Sequence, residues 1–329
     1  EEETTRLLDI IRQLRADGVT VVFVSHFLEE VLAVSDTISV LRDGQHIQTT
    51  PASEQTPESI VTAILGREMS LTFPVKQYPE AENSTIFSVR NLSKKGDLNG
   101  ISFDIRAGEI VGLAGLVGSG RSALGLSIFG AQAVDSGTFE IDGNPVTVTT
   151  PTQAIRSGIS FLPESRKTQG LLMNFNIAAN VTLPHLGAVS KRNFVQKRQE
   201  LAETAQLLQQ MDVRPPRPEI PVSRLSGGNQ QKVLFGKWLF RHPKLLIVDE
   251  PTHGVDVGAR RAIYQLIADL AQSGMGILVI SSELEEILGL SHRVLVMRQG
   301  SIVAEFTENP KDNIYLSEDD IMHAAFATG

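Results

Sequence analysis

Leu225-Ser226-Gly227-Gly228-Asn229-Gln230-Gln231 is followed by Leu245-Leu246-Ile247-Val248-Asp249-Glu250-Pro251-Thr252, and this pair constrains the fold more tightly than any other stretch. The first element sets a serine hydroxyl and two glycine amides at a predicted helix start, where unpaired N–H groups and the positive end of the helix dipole attract anions. The second is a short apolar run ending in two adjacent carboxylates. It reads as a buried strand that delivers one oxygen ligand for Mg2+ and one group to polarise water.

A third element lies upstream, where the strand-like run from Glu109 to Ala114 enters Gly115-Leu116-Val117-Gly118-Ser119-Gly120-Arg121-Ser122 and then an apolar helix-like stretch. Glycines in such a loop let the backbone curl with its N–H groups toward β- and γ-phosphates, and the Ser122 hydroxyl is placed to reach Mg2+. Together the elements resemble the signature motif, the Walker B strand and the P-loop of ATP-binding cassette (ABC) ATPases. Arg121 departs from the lysine of the P-loop pattern. A planar fork on a bulkier head replaces a compact point charge, so nucleotide binding is expected to survive and fast hydrolysis to suffer.

The chain also repeats itself. Asp17 to Glu30 aligns without gaps with Ser273 to Glu286, each pair standing 256 positions apart, and Val40-Leu41-Arg42-Asp43-Gly44 aligns with Val296-Met297-Arg298-Gln299-Gly300 at the same offset. Before them, Leu7, Ile10, Ile11 and Leu14 share the spacing of Ile263, Leu266, Ile267 and Leu270, a helical stripe expected to face a core. Val21 to Val24 reads as a strand. The expected organisation is therefore the C-terminal part of a first, incomplete nucleotide-binding domain at 1–67, a polar linker at 68–84 and a second whole domain at 85–329. With no P-loop ahead of His26 and a start at Glu1-Glu2-Glu3, the chain is expected to be a fragment of a tandem protein of roughly 500 residues.

By the same resemblance, His26 stands where ABC ATPases carry a switch histidine for the γ-phosphate, and the second copy has Ser282 there. Glu164, in Pro163-Glu164-Ser165-Arg166, occupies a place where many members have glutamine and retains an anionic oxygen for a metal. Arg121, Glu164 and Ser282 together are similar to the second half of tandem ATPases that energise bacterial ribose, galactose and xylose importers; Leu65-Gly66-Arg67-Glu68 before Phe73-Pro74 agrees. The implied fold is α/β, a P-loop NTPase of the ABC type with a mixed sheet core and a helical signature subdomain.

In that family's head-to-tail sandwich, ATP and Mg2+ lie between the P-loop of one half and the signature of the other. The resemblance implies cofactor contacts from Gly115, Leu116, Val117, Gly118, Ser119, Gly120, Arg121 and Ser122 and from Glu164, Ser226, Gly227, Gly228, Gln230 and Ser282. Ser122 and Asp249 would associate with the metal, and Glu250 would orient water. His26 and the signature would serve the other site, whose P-loop comes from an N-terminal half or a second copy. Asp256 either crosses between halves or caps the helix at Val257. The implied partners are integral-membrane permease subunits and, indirectly, a periplasmic solute-binding protein, at the cytoplasmic face of the bacterial inner membrane.

A net charge of −8 argues against nucleic acid as the main partner, since phosphate-backbone binding needs a basic face. No apolar run approaches a membrane span, and the absence of cysteine gives no disulfide framework. Lys191 to Gln210 reads as a charged helix, and Leu171, Leu172, Met173 and Phe175 divide between core and a permease-facing surface. Two other readings fit: a nucleotide-binding regulatory module with little hydrolysis, and a non-transport ABC ATPase, for which the heptad insertions or basic arms expected are lacking.

Overall fold

A computed structural model of the chain describes residues 2–25, 28–42, 45–57, 59, 60, 63, 73–79, 84–255 and 257–326. They fall into a small unit, drawn from residues 1–72 and 257–261, and a large unit, from 73–255 and 262–329. In the small unit, helices α1 (Glu2–Ala16) and α2 (Leu28–Val34) precede a hairpin of β1 (Thr37–Arg42) and β2 (Gln45–Pro51). Its core is Ile38, Val40 and Ile60 with Leu28, Val31, Leu32 and Ile47 packed around them.

Two expectations fail in this unit. Of the α1 stripe only Ile11 is buried, while Leu7, Ile10 and Leu14 are exposed. Residues 20–25 form no strand, and Val22 and Val24 are 87% and 89% exposed. The physical reason is common to both. A parallel strand needs neighbours from distant parts of the chain, and among the described residues of the small unit the one β-ladder is β1–β2.

In the large unit, β3 (Thr85–Lys94), β4 (Leu98–Arg106), β6 (Ser136–Ile141) and β7 (Asn144–Val146) make an antiparallel sheet in the order β4-β3-β6-β7. The central sheet has six strands in the order β14-β13-β5-β12-β11-β8. These are β5 (Ile110–Gly115), β8 (Ile159–Leu162), β11 (Leu245–Asp249), β12 (Gly276–Ile280), β13 (Arg293–Arg298) and β14 (Ser301–Thr307), all parallel to their neighbours except β14. Every residue of β8, β11 and β12 is buried, as the unbroken apolar runs require of parallel strands covered on both faces. Gly276 is the start of β12 because a Cβ there would collide with Ile86 and Ile105. Helices α3 (Arg121–Ile128) and α8 (Val257–Gln272) flank this core.

The helical subdomain contains α5 (Ile177–Thr182), a ribbon of β9 (Ser190–Lys191) and β10 (Phe194–Val195), α6 (Lys197–Gln210) and α7 (Gly227–Leu239); the short α4 (Pro151–Arg156) precedes β8. The charged helix thus begins six residues later than the sequence suggests, because Arg192 and Asn193 take positive φ values of 51° and 65° and turn the chain into a two-residue hairpin. Phe129 stacks on Phe161 and meets Trp238 edge-on, joining α3, β8 and α7. Leu171 is buried, and Leu172 and Phe175 are exposed. The described linker residues lie on the large unit: Phe73 stacks on Tyr264 at 4.8 Å, and Lys76 and Tyr78 bond Glu308 at 2.5 and 2.8 Å. Helices α9 (Leu284–Leu290) and α10 (Glu318–Phe326) complete the unit.

Candidate nucleotide site

The loop between β5 and α3 is held open by glycine. Gly118 and Gly120 have φ values of 82° and 102°, which other residues rarely adopt, and a Cβ on Gly115 would strike the Met297 carbonyl. Among the described residues, nothing accepts from the amides of Val117, Gly118 and Gly120. The Ser119 hydroxyl inside the loop is buried without a partner, whereas Leu116 and Val117 face outward. Unpaired amides, an orphaned hydroxyl and the N-terminus of α3 make a cradle for a polyanion.

Beneath it, Ser122 Oγ lies 3.5 Å from Asp249 Oδ1. Asp249 ends β11 and is buried; desolvation, chiefly, pushes its pKa up to about 6, with Ser122 opposing and Glu250 and Glu164 adding. A carboxylate held this far above its ordinary range favours a cation that restores its charge. The hydroxyl–carboxylate pair suits a hard oxygen-seeking ion, so the residues fit Mg2+. Arg121 reaches across to the Ser281 carbonyl at 2.5 Å. Burial lowers its pKa, and Glu250 and Asp249 raise it.

Glu250 sits at φ 50° with its amide bonded to the Ile280 carbonyl at 2.8 Å, so the chain turns sharply at the carboxyl end of β11. Its carboxylate accepts from the Ser282 amide at 2.7 Å and from Ser282 Oγ at 3.2 Å. Ser282 therefore addresses the candidate water-orienting group directly. Glu164 is exposed beside this site, 3.7 Å from His253 Nδ1. A cavity of about 390 Å³ opens next to Ser122 and Asp249, walled by Phe129, Phe161, Glu164 and Trp238.

The signature lies at the start of α7. Ser226 is exposed at the N-cap and Gly228 is buried; the Ser226 hydroxyl accepts from Asn229 Nδ2 at 3.0 Å. Gln230 is turned inward, its amide on the Leu225 carbonyl at 2.9 Å, which shapes the loop ahead of the helix. Sequence reasoning singled out Arg166 as part of a pattern and gave it no role. Its guanidinium bonds the carbonyls of His253 and Gly254 at 3.1 and 2.9 Å, and a Cβ on Gly227 would meet it at 3.1 Å. Gln231 adds a bond to the Pro251 carbonyl at 2.8 Å. Signature helix and post-strand turn are thus tied together, a link no spacing rule reveals. His26 and Asp256 lie outside the described residues.

A glycine cradle, a helix N-terminus, a buried carboxylate facing a hydroxyl and a separate signature helix are the parts of a nucleotide-binding cassette. Residues 98–253 match the ABC transporter family. It is 42% identical over 325 residues to a ribose import ATP-binding protein of Geobacillus kaustophilus, covering 99% of this chain and 64% of that one. It is 44% identical to a putative ribose/galactose/methyl galactoside import ATP-binding protein of Rhizobium meliloti (93% and 61%) and 43% identical to a xylose import ATP-binding protein of Paraburkholderia xenovorans (98% and 62%). The chain spans somewhat over three-fifths of the length of these relatives. In fold it resembles a nucleotide-free ATP-binding cassette from an ABC transporter, with a TM-score of 0.63 at 23% identity over 74% of this chain and 100% of that one. The ADP conformation of the cassette MJ1267 gives the same score.

Proposed function

We propose that the chain is an ATP-binding and ATP-hydrolysing part of an importer for a sugar or sugar-like solute. The observation that carries this reading is the convergence of Ser122 and Asp249, 3.5 Å apart, beneath a loop of unpaired amides. Ser122 and Asp249 would hold Mg2+, which when bound neutralises phosphate charge. The loop amides and Arg121 would cradle the phosphates, and Glu250 would orient the attacking water. Phosphoryl transfer asks little beyond this positioning and charge stabilisation.

The import names of the relatives support the solute class and a membrane permease as partner, with a solute-binding protein acting through it. No described helix is long and apolar enough to cross a membrane, so attachment at the inner membrane's cytoplasmic face would run through that permease. The division 1–67, 68–84 and 85–329 follows the internal repeat, and the signature, Ser226 to Gly228, would complete a site whose P-loop comes from a second cassette. His26 would serve that composite site, and Asp256 would either cross between the halves or cap the helix at Val257. Pairing this chain with a cassette that supplies the other P-loop and signature should give ATP turnover well above that of the chain alone. Ser226→Arg should abolish the gain, and an intact gain would refute the composite site.

A further inference from the structure

Glu286 is 1% exposed on α9, and none of the roles above uses it. Thr252 Oγ1 donates to its Oε1 at 2.7 Å, and the hydroxyls of Ser281 and Tyr264 lie against the carboxylate and favour its charge. Burial works the other way, pushing its pKa up, and Oε2 lacks a hydrogen bond of good geometry. A carboxylate is costly to bury unless its neighbours compensate.

The two segments that Glu286 touches are those that aim Glu250. Thr252 follows Glu250 by two residues in a tight turn, in which the His253 amide bonds the Glu250 carbonyl at 3.1 Å and the Val255 amide bonds the Thr252 carbonyl at 3.0 Å. Ser281 directly precedes Ser282, whose amide and hydroxyl grip the Glu250 carboxylate. The Ser281 hydroxyl also accepts the Glu283 amide at 3.0 Å. The serine–glutamate half of this contact recurs in the other copy of the repeat. Ser25 and Glu30, the counterparts of Ser281 and Glu286, are hydrogen bonded at 3.1 Å.

We propose that Glu286 is a positioning residue for Glu250: by tying Thr252 to the Ser281–Ser282 segment, it fixes the distance between the turn that carries Glu250 and the groups that orient its carboxylate. This rests on the reading of Glu250 given under Proposed function. Removing the tie lets the two segments drift, which loosens the Ser282–Glu250 bond while the loop amides of Val117, Gly118 and Gly120 stay in place.

Two readouts test it. Amide exchange at Ser282 in the nucleotide-free chain should speed up about tenfold in Thr252→Val and in Glu286→Gln, the worth of one hydrogen bond. Single-turnover release of γ-phosphate should slow about tenfold, while the Kd for ATP stays within about twofold and Thr252→Ser recovers most of both losses. Unchanged Ser282 exchange, unchanged release, or a parallel loss of ATP affinity would each overturn the proposal. Should one variant fail to fold, the other carries the same outcomes. Glu250→Gln separates the two readings: if it leaves turnover intact, the assignment of Glu250 fails, and Ser282 exchange in the Thr252 and Glu286 variants still judges the tie.

Discussion

Two copies of one sequence pattern end in different structures. In the large unit Gly276–Ile280 is a central strand paired on both sides, and its residues are buried. In the small unit the aligned residues 20–24 lie outside any strand with valines in solvent. The hairpins that follow tell the opposite story. β1–β2 and β13–β14 are both antiparallel, and each has its register shift at the aligned position, Val40/Leu41 in one and Val296/Met297 in the other. Local pairing survives because a hairpin brings its own partner. The parallel strand does not, because its partners come from separate segments of the chain, β11 at a separation of 31 residues (Leu245 to Gly276) and β5 at 167 (Ile110 to Ile277).

The sharpest way to break this comparison is to place a charge at aligned positions. Leu278→Asp, in the buried strand, should cost more than about 4 kcal/mol in urea unfolding, whereas Val22→Asp should stay within about 0.5 kcal/mol. Equal costs would mean that residues 20–25 are in fact buried. The hairpins should respond alike: Val40→Ala and Val296→Ala, both buried, should each cost about 2 kcal/mol of local opening free energy by hydrogen exchange.

A smaller effect concerns the site that only the large unit carries among the described residues. The folded pKa of Asp249 is raised to about 6 from 3.8, so the protonated form is favoured on folding. Its contribution to stability is full below about pH 4 and is lost as pH rises through about 6. Asp249→Asn should therefore stabilise the nucleotide-free chain by about 1 to 2 kcal/mol at pH 8 and erase the pH dependence in that window, as followed by thermal unfolding. Smallest is Ser282→Ala. It removes the 3.2 Å hydroxyl bond to Glu250 and keeps the amide bond, and at this exposed position it should lower stability by about 0.5 to 1 kcal/mol.

Much of the large unit was legible because its motifs are local. The apolar run before Asp249, the glycine spacing from Gly115 to Gly120 and the Ser226 helix start each state their structure within a few residues. What the sequence did not disclose depends on distant pairings. The stripe of Leu7, Ile10 and Leu14 has the same period as Ile263 and Ile267, yet period says nothing about whether a sheet is there to cover it. Likewise Glu286 enters the sequence only as the end of the repeat, Glu283-Leu284-Glu285-Glu286, with no role that spacing assigns. Only packing shows it buried against Thr252, and only packing shows Arg166 bridging to His253 and Gly254.

Titration of the chain with ATP, with and without Mg2+, tests the central claim most directly. Saturable binding that Mg2+ strengthens, and that Asp249→Asn and Ser122→Ala each weaken toward the Mg2+-free level, is the predicted result. Absence of binding, or Mg2+-dependent affinity left unchanged by both substitutions, would contradict the assignment of the loop and strand end to one site.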